Sequence, residues 1–330
     1  MHYSEENDLY DDARLVFEIG DELSGTRLDK AASELVATVS RSRIADWIAR
    51  GAVSVNAQTV RKPSRPVYAG DVLEILEQPS PEALSFAPFD VAFETVYEDA
   101  DVIVVNKPAD LVTHPANGHW TDTLLNGLLF RHPELACLAR AGIVHRLDKD
   151  TTGLMVVARN ASAAKSLVEQ LSARAMHRQY WAVVAGRAPE ALDIDKPIER
   201  DPANPLRFRV SKTGSGRSAL THVRRVARSG AFSLCAMKLE TGRTHQIRVH
   251  LSDAGLPIAG DPLYRHPLAP RLPEGVAFTR QALHAARLHF QHPADGRLCR
   301  FFAPPPADFL ALTEALGLTV DLDEPDYYPE

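Results

Sequence analysis

A chain of 330 residues with 45% hydrophobic content is long enough for two domains and a sizeable core. No apolar run could span a bilayer, and the acidic start, Met1 to Asp12, is unlike a signal or transit peptide. The dispersed cysteines Cys137, Cys235 and Cys299 argue against a disulfide framework and a structural zinc, so a cytoplasmic protein is expected.

The net charge of −6 is unevenly spread. Residues 1–13 hold five acids (Glu5, Glu6, Asp8, Asp11, Asp12) and no Lys or Arg, and residues 319–330 hold five more (Asp321, Asp323, Glu324, Asp326, Glu330). Without these ten charges, residues 14–318 stand at +4. Acidic tails on a basic body are compatible with RNA binding, because the local field matters more than the total.

Residues 14–78 read as one small unit. Arg27-Leu28-Asp29-Lys30 opens a helix with Leu28, Ala31, Ala32, Leu35 and Val36 on one face. Ser40 is the expected N-cap of a second helix ending at Arg50, with Ile44, Trp47 and Ile48 as its apolar face and Gly51 as its stop. Strands are expected over 52–56 and 72–75. The unit concentrates cations: Arg41, Arg43, Arg50, Arg61, Lys62 and Arg65 face a single acid, Asp46, over residues 41–65, which suits an RNA backbone. Residues 79–88, rich in proline, read as a linker.

The larger body spans 89–318. Strands are expected at 91–97, 102–106, 154–158, 180–185, 233–239 and 288–290, and helices at 124–130, 161–174, 246–252 and 306–315. Strands and helices mix without strict alternation, so the fold class is α+β. Within it, His145-Arg146-Leu147-Asp148-Lys149-Asp150 places charges of both signs between the apolar runs Gly142-Ile143-Val144 and Leu154–Ala158. A loop this polar, held between buried segments, is where a site can be rigidly positioned. Residues 207–250 hold ten Lys or Arg against Glu240 alone, read in part as an RNA track. His245 with His250, and His284 with His289, lack a Cys or carboxylate at ligand spacing, so no metal is expected. No Gly-rich phosphate loop or dinucleotide fingerprint occurs, so no cofactor is expected.

Two resemblances organise these residues. Arg27–Lys30, Ser40-Arg41-Ser42, Ile48, Gly51, Val53–Asn56 and Gly70-Asp71 together resemble the αL RNA-binding module of ribosomal protein S4, with Ala57 where that family usually has Gly. The larger body resembles the RluA-type pseudouridine synthases through five motifs in order. They are Asn106-Lys107-Pro108 to His114-Pro115, His145–Asp148, Arg178-Gln179-Tyr180, Leu239–Arg248 and Gln281–Ala285 with His292-Pro293. Asp110, Thr113 and Arg265 depart from the usual pattern without touching the catalytic positions.

The resemblance implies a pseudouridine synthase domain with a mixed, largely antiparallel central sheet, preceded by a small αL RNA-binding domain. It implies Asp148 as catalytic carboxylate, Tyr180 as the active-site tyrosine (base platform and aid to proton removal), and Arg243 as the arginine paired with Asp148. The carboxylate would form a ribosyl ester or remove a ribose proton, two routes that stay open. Arg27, Arg41, Arg43, Arg50, Arg61, Lys62, Lys107, His145 and Arg146 are the expected RNA contacts. The attached module and Lys149–Thr152 are most like synthases of large-subunit ribosomal RNA, so the expected partner is that RNA or the assembling large subunit, met by a monomer. A C-type ribosomal synthase with other rRNA targets, or a non-catalytic ribosome-assembly factor, are the alternatives.

Overall fold

The computed structural model describes residues 14–80 and 82–321. The first acidic tail and residues 322–330 of the second lie outside the described residues. The chain divides into two compact units between Ala83 and Leu84. No described helix is long and apolar enough to cross a membrane.

The first unit runs β1 (Arg14–Glu18), α1 (Leu28–Leu35), α2 (Arg41–Arg50), β2 (Val53–Val55), β3 (Gln58–Thr59) and β4 (Val72–Leu76). Its strands form an antiparallel sheet in the order β1-β4-β2-β3. The apolar faces read from the helical spacing, Leu28, Ala31 and Ala32 on α1 and Ile44, Trp47 and Ile48 on α2, are buried with Val53, Val55, Leu73 and Ile75 in one core. Gly51 ends α2 with φ 84°, a backbone that glycine adopts without strain. Ser40 occupies the N-cap position, but its side chain makes no capping bond. The β2–β3 turn holds Asn56 and Ala57 both at positive φ.

The second unit contains β5 (Glu94–Glu98), β6 (Val102–Lys107), α3 (Leu124–Arg131), β7 (Thr152–Ala158), α4 (Ala161–Ser172), β8 (His177–Ala185) and β9 (Ala191–Asp195). Then follow β10 (Ile198–Arg200), β11 (Phe208–Val210), β12 (Leu220–Ser229), β13 (Phe232–Leu239), α5 (Gln246–Asp253), β14 (Leu283–Gln291), β15 (Leu298–Phe302) and α6 (Ala307–Ala315). A nine-stranded sheet runs β5-β6-β7-β14-β8-β13-β12-β9, with β15 on β14, and β10 and β11 pair apart from it. Every neighbour in the large sheet is antiparallel except β7 with β14, so the sheet is mixed and largely antiparallel as expected.

β6 and β7 carry apolar runs, Val102 to Val105 and Leu154 to Ala158, because both faces are covered there. Ile103, Val105, Met155 and Val157 enter the core that includes α3, while Val102, Val104, Leu154 and Val156 pack on the opposite face with Ala163 and Leu167 of α4. The proline-rich stretch is partly structured: Asn126 Nδ2 donates to the carbonyls of Ser85 and Ala87, fixing that end against the start of α3.

Candidate active site

The charged loop enters and leaves through two glycines that no other residue could replace without displacement. Gly142 has φ 75° and Gly153 φ 114°, and an added Cβ would run into the carbonyls of Ala158 and Ala285 respectively. Between them, six consecutive residues are each held by a different group. Thr113 Oγ1 donates to the Leu147 carbonyl at 2.8 Å, and Arg248 Nη1 to Asp148 Oδ2 at 3.0 Å. Lys107 Nζ donates to the Lys149 carbonyl at 2.8 Å, and Arg280 Nη1 to the Asp150 carbonyl at 3.1 Å. Gln281 Nε2 donates to Thr151 Oγ1, and Thr152 Oγ1 bonds His284 Nδ1. A carboxylate on such a loop is preorganised before any substrate arrives.

Asp148 opens onto a cavity of about 290 Å³ that Tyr180, Arg178, His145, Arg146, His245 and Arg248 also line. Arg248 lies in the first turn of α5 and is bidentate to Asp261 through Nε (2.7 Å) and Nη2 (3.0 Å), leaving Nη1 for Asp148. Its guanidinium is held strongly protonated: burial opposes the charge, but the two carboxylates outweigh it. Asp261 is held below the usual carboxylate range because hydrogen bonds and charge from Arg248 outweigh its burial. His245 Nε2 stands 3.9 Å from Asp148 Oδ1, and its Nδ1 bonds the Tyr264 hydroxyl.

The expected pairing of Asp148 with Arg243 is therefore corrected. Arg243 is exposed in the turn before α5 and its Nε donates to the Ser218 carbonyl. The buried Gln246 explains the difference. It accepts from the Arg243 backbone N–H and from Thr241 Oγ1, and donates to the Leu220 carbonyl, fixing a turn in which Arg243 still lines the cavity but is exposed and bonded away from Asp148. Residue 248, on the helix itself, then faces inward.

Lys107 is the second correction. It was expected to touch RNA, yet it is fully buried, with Nζ donating to the carbonyls of Pro108, Leu111 and Lys149. Burial pulls its pKa down to about 7, with the charge of Asp148 pulling the other way. Thr113, which departs from the usual apolar residue, is likewise buried and holds the loop.

Tyr180 is buried on β8 and lines the same cavity. Burial raises its pKa, so the phenol keeps its proton, which favours a platform or hydrogen-bonding role over that of proton acceptor. His145 is turned inward: its Nε2 accepts from the Val156 N–H at 3.0 Å, which places the ring proton on Nδ1. Burial drops the His145 pKa to about 3. Arg146 is exposed at the cavity.

In the first unit, Arg27 and Arg41 both grip buried Asp29, an acid outside the window in which the cations were counted. Arg50 pairs with Asp46, Arg43 donates to the Gln78 carbonyl and stacks on Trp47, and Arg61 reaches the Ala49 carbonyl at 3.3 Å. Lys62 is exposed. In the expected 207–250 track, Arg209 pairs with Glu199 and Lys238 with Glu240, which reduces its free charge. Sequence reading missed Lys107 as a loop anchor and also Arg280, Asp261 and Arg248.

Comparison with known proteins gives consistent matches. Residues 101–253 match the RNA pseudouridylate synthase family and residues 26–73 the S4 domain. A ribosomal large subunit pseudouridine synthase D from Neisseria meningitidis serogroup A is 50% identical over 310 residues, 92% of this chain and 82% of that protein. Its counterpart from Xanthomonas campestris pv. campestris is 44% identical over 90% of this chain and 91% of its own. Among solved structures, human RNA pseudouridylate synthase domain containing 4 superposes with a TM-score of 0.55 at 26% identity, covering 69% of this chain and 94% of that one.

Proposed function

The chain belongs to the RNA pseudouridylate synthase family, whose reaction isomerises uridine to pseudouridine in RNA, and we propose that its substrate is large-subunit ribosomal RNA with Asp148 as the working carboxylate. The Asp148–Arg248 pair beside Tyr180 in one cavity is the observation that supports the site assignment. The reaction breaks the bond from uracil N1 to ribose C1′ and forms one from C5 to C1′; a proton leaves C5 and one is taken up at N1. No redox partner is consumed. Asp148 acts at the ribose, where a carboxylate can serve an electrophilic anomeric centre as it does in glycoside hydrolysis. Arg248 holds that carboxylate in place, and Tyr180 receives the extruded base, whose unstacking costs a few kcal/mol.

The S4 unit supplies the grip on structured RNA. The domain match supports this, and Lys62 and Arg61 are its exposed cations on the chain after β3. The same reading puts the enzyme in the cytoplasm, acting as a monomer on ribosomal RNA or an assembling large subunit. Pseudouridine mapped across ribosomal RNA in cells lacking the protein, complemented by wild type or Asp148→Asn, tests it. Sites in large-subunit RNA should vanish and return only with wild type; return of those sites with Asp148→Asn would refute the assignment.

A further inference from the structure

Arg178 is a buried cation with no carboxylate paired to it among the described residues. It is 8% exposed, and its Nε is shielded from solvent with no hydrogen-bond partner among the described residues. No ion pair involves it among the described residues, in contrast to Arg248, which has two carboxylates. Arg178 and Tyr180 are two residues apart on β8, so both side chains stand on the face that lines the Asp148 cavity. A Cβ on Gly242 would lie 3.1 Å from Arg178 Nη1, so this glycine leaves the guanidinium its room.

Two further nitrogens of the same cavity are buried without a hydrogen-bond partner among the described residues: His145 Nδ1, the protonated one, and His114 Nε2. Arg178 lies near enough to His145 for its charge to oppose protonation of that ring. A buried charge is costly unless paired, and no anion of the described chain meets this one. The Asp148 carboxylate is already engaged by Arg248.

We propose that Arg178 binds a phosphodiester flanking the target uridine, with His145 Nδ1–H as a second donor to the same group. This rests on the RNA-modifying reading above. A guanidinium offers a forked donor that matches two phosphate oxygens, and a site lacking its own anion is completed by one carried in on the substrate. The phosphate is thereby anchored beside the carboxylate, so the ribose between them is held for reaction.

The test is a substitution cycle between protein and RNA. The probe is a large-subunit rRNA stem-loop carrying the uridine identified by the mapping experiment, made with a single methylphosphonate at the linkage on either side of it. Binding is measured with wild type, Arg178→Gln and Arg178→Lys, and thermal melting checks that each variant folds. One of the two methylphosphonates should weaken wild-type binding by about tenfold, the loss typical of a charge-assisted hydrogen bond. Arg178→Gln should show that loss with normal RNA and no further loss with the same methylphosphonate. If Arg178→Gln does not fold, Arg178→Lys, which keeps the charge without the fork, should show a reduced effect at that linkage.

Losses that multiply fully at both linkages would overturn the assignment, as would wild-type binding by Arg178→Gln. A contact to a uracil carbonyl instead would give the first of these results. Turnover of the unmodified stem-loop by wild type separates the two levels: turnover without coupling removes only the Arg178 assignment. Failure of wild type to modify large-subunit RNA removes the substrate reading and this site with it.

Discussion

Arg248 donates to Asp148 at 3.0 Å while holding both oxygens of Asp261, so one guanidinium ties the loop carboxylate to a second, fully buried one. Removing it would leave two shielded carboxylates together. Arg248→Ala is therefore expected to lose pseudouridine formation and about 3–5 kcal/mol of stability, measured by urea unfolding and a single-turnover assay. Arg248→Lys should not rescue activity, because a point charge cannot bridge both partners. Arg243→Ala is expected to unfold within about 0.5 kcal/mol of wild type, since that side chain is exposed and, among the described residues, donates to a carbonyl and to no carboxylate. A larger loss at Arg243 than at Arg248 would reverse this assignment.

Lys107 anchors three carbonyls with one ammonium, matching its three N–H donors. Lys107→Met keeps the apolar stem and removes all three bonds. We expect it to cost about 3 kcal/mol or more, from buried acceptors left unsatisfied. It should also reduce turnover more than RNA affinity, because the charge does not face RNA. An affinity loss with unchanged turnover per bound RNA would restore Lys107 as an RNA contact.

Much of this arrangement was legible in the chain, and the misses share a cause. The loop around Asp148 stood out because charges of both signs interrupt apolar runs, and β7 was readable because burial on both faces makes its stretch from Leu154 to Ala158 wholly apolar. Lys107 was misread because a lysine is exposed by default. Its register held the signal: Ile103 and Val105 on the same face of β6 enter the core, and position 107 continues that face. Arg248 carried a similar signal, sitting among Ile247, Val249 and Leu251 on a short buried helix where a cation needs an internal partner. β12 escaped notice because Arg224, Arg225 and Arg228 obscure its alternation, and the acid that Arg209 meets lies on a neighbouring strand.

Asn56 and Ala57 form a two-residue hairpin turn at φ 51° and 61°. Alanine is strained there, where glycine is not. Ala57→Gly is expected to stabilise the first unit by about 0.5–1 kcal/mol, the left-handed penalty relieved less the added chain entropy. Thermal melting checks it, and a lowered melting temperature would show that the turn is relaxed as it stands.

Three histidines around the loop are neutral by burial: His114 and His284 are pushed down to about 4 and His145 to about 3. Above pH 6.5 both folded and unfolded chains leave them uncharged, so their contribution is fully present. As pH falls below 6.5, the unfolded chain takes up protons that the folded chain refuses, and stability declines until the folded values near 4 and 3 are reached. Each histidine contributes a slope of at most about 1.4 kcal/mol per pH unit. Urea midpoints should fall steadily from pH 7 to pH 5; a flat profile would mean that these rings are charged or solvated in the fold.

The most direct measurement is single-turnover conversion of uridine to pseudouridine in large-subunit ribosomal RNA by purified wild type, Asp148→Asn and Arg248→Ala. Wild type should convert its target, and Asp148→Asn should bind the same RNA but form no pseudouridine, with Arg248→Ala similarly inactive. Pseudouridine formation by Asp148→Asn at a rate near wild type would contradict the account at its centre.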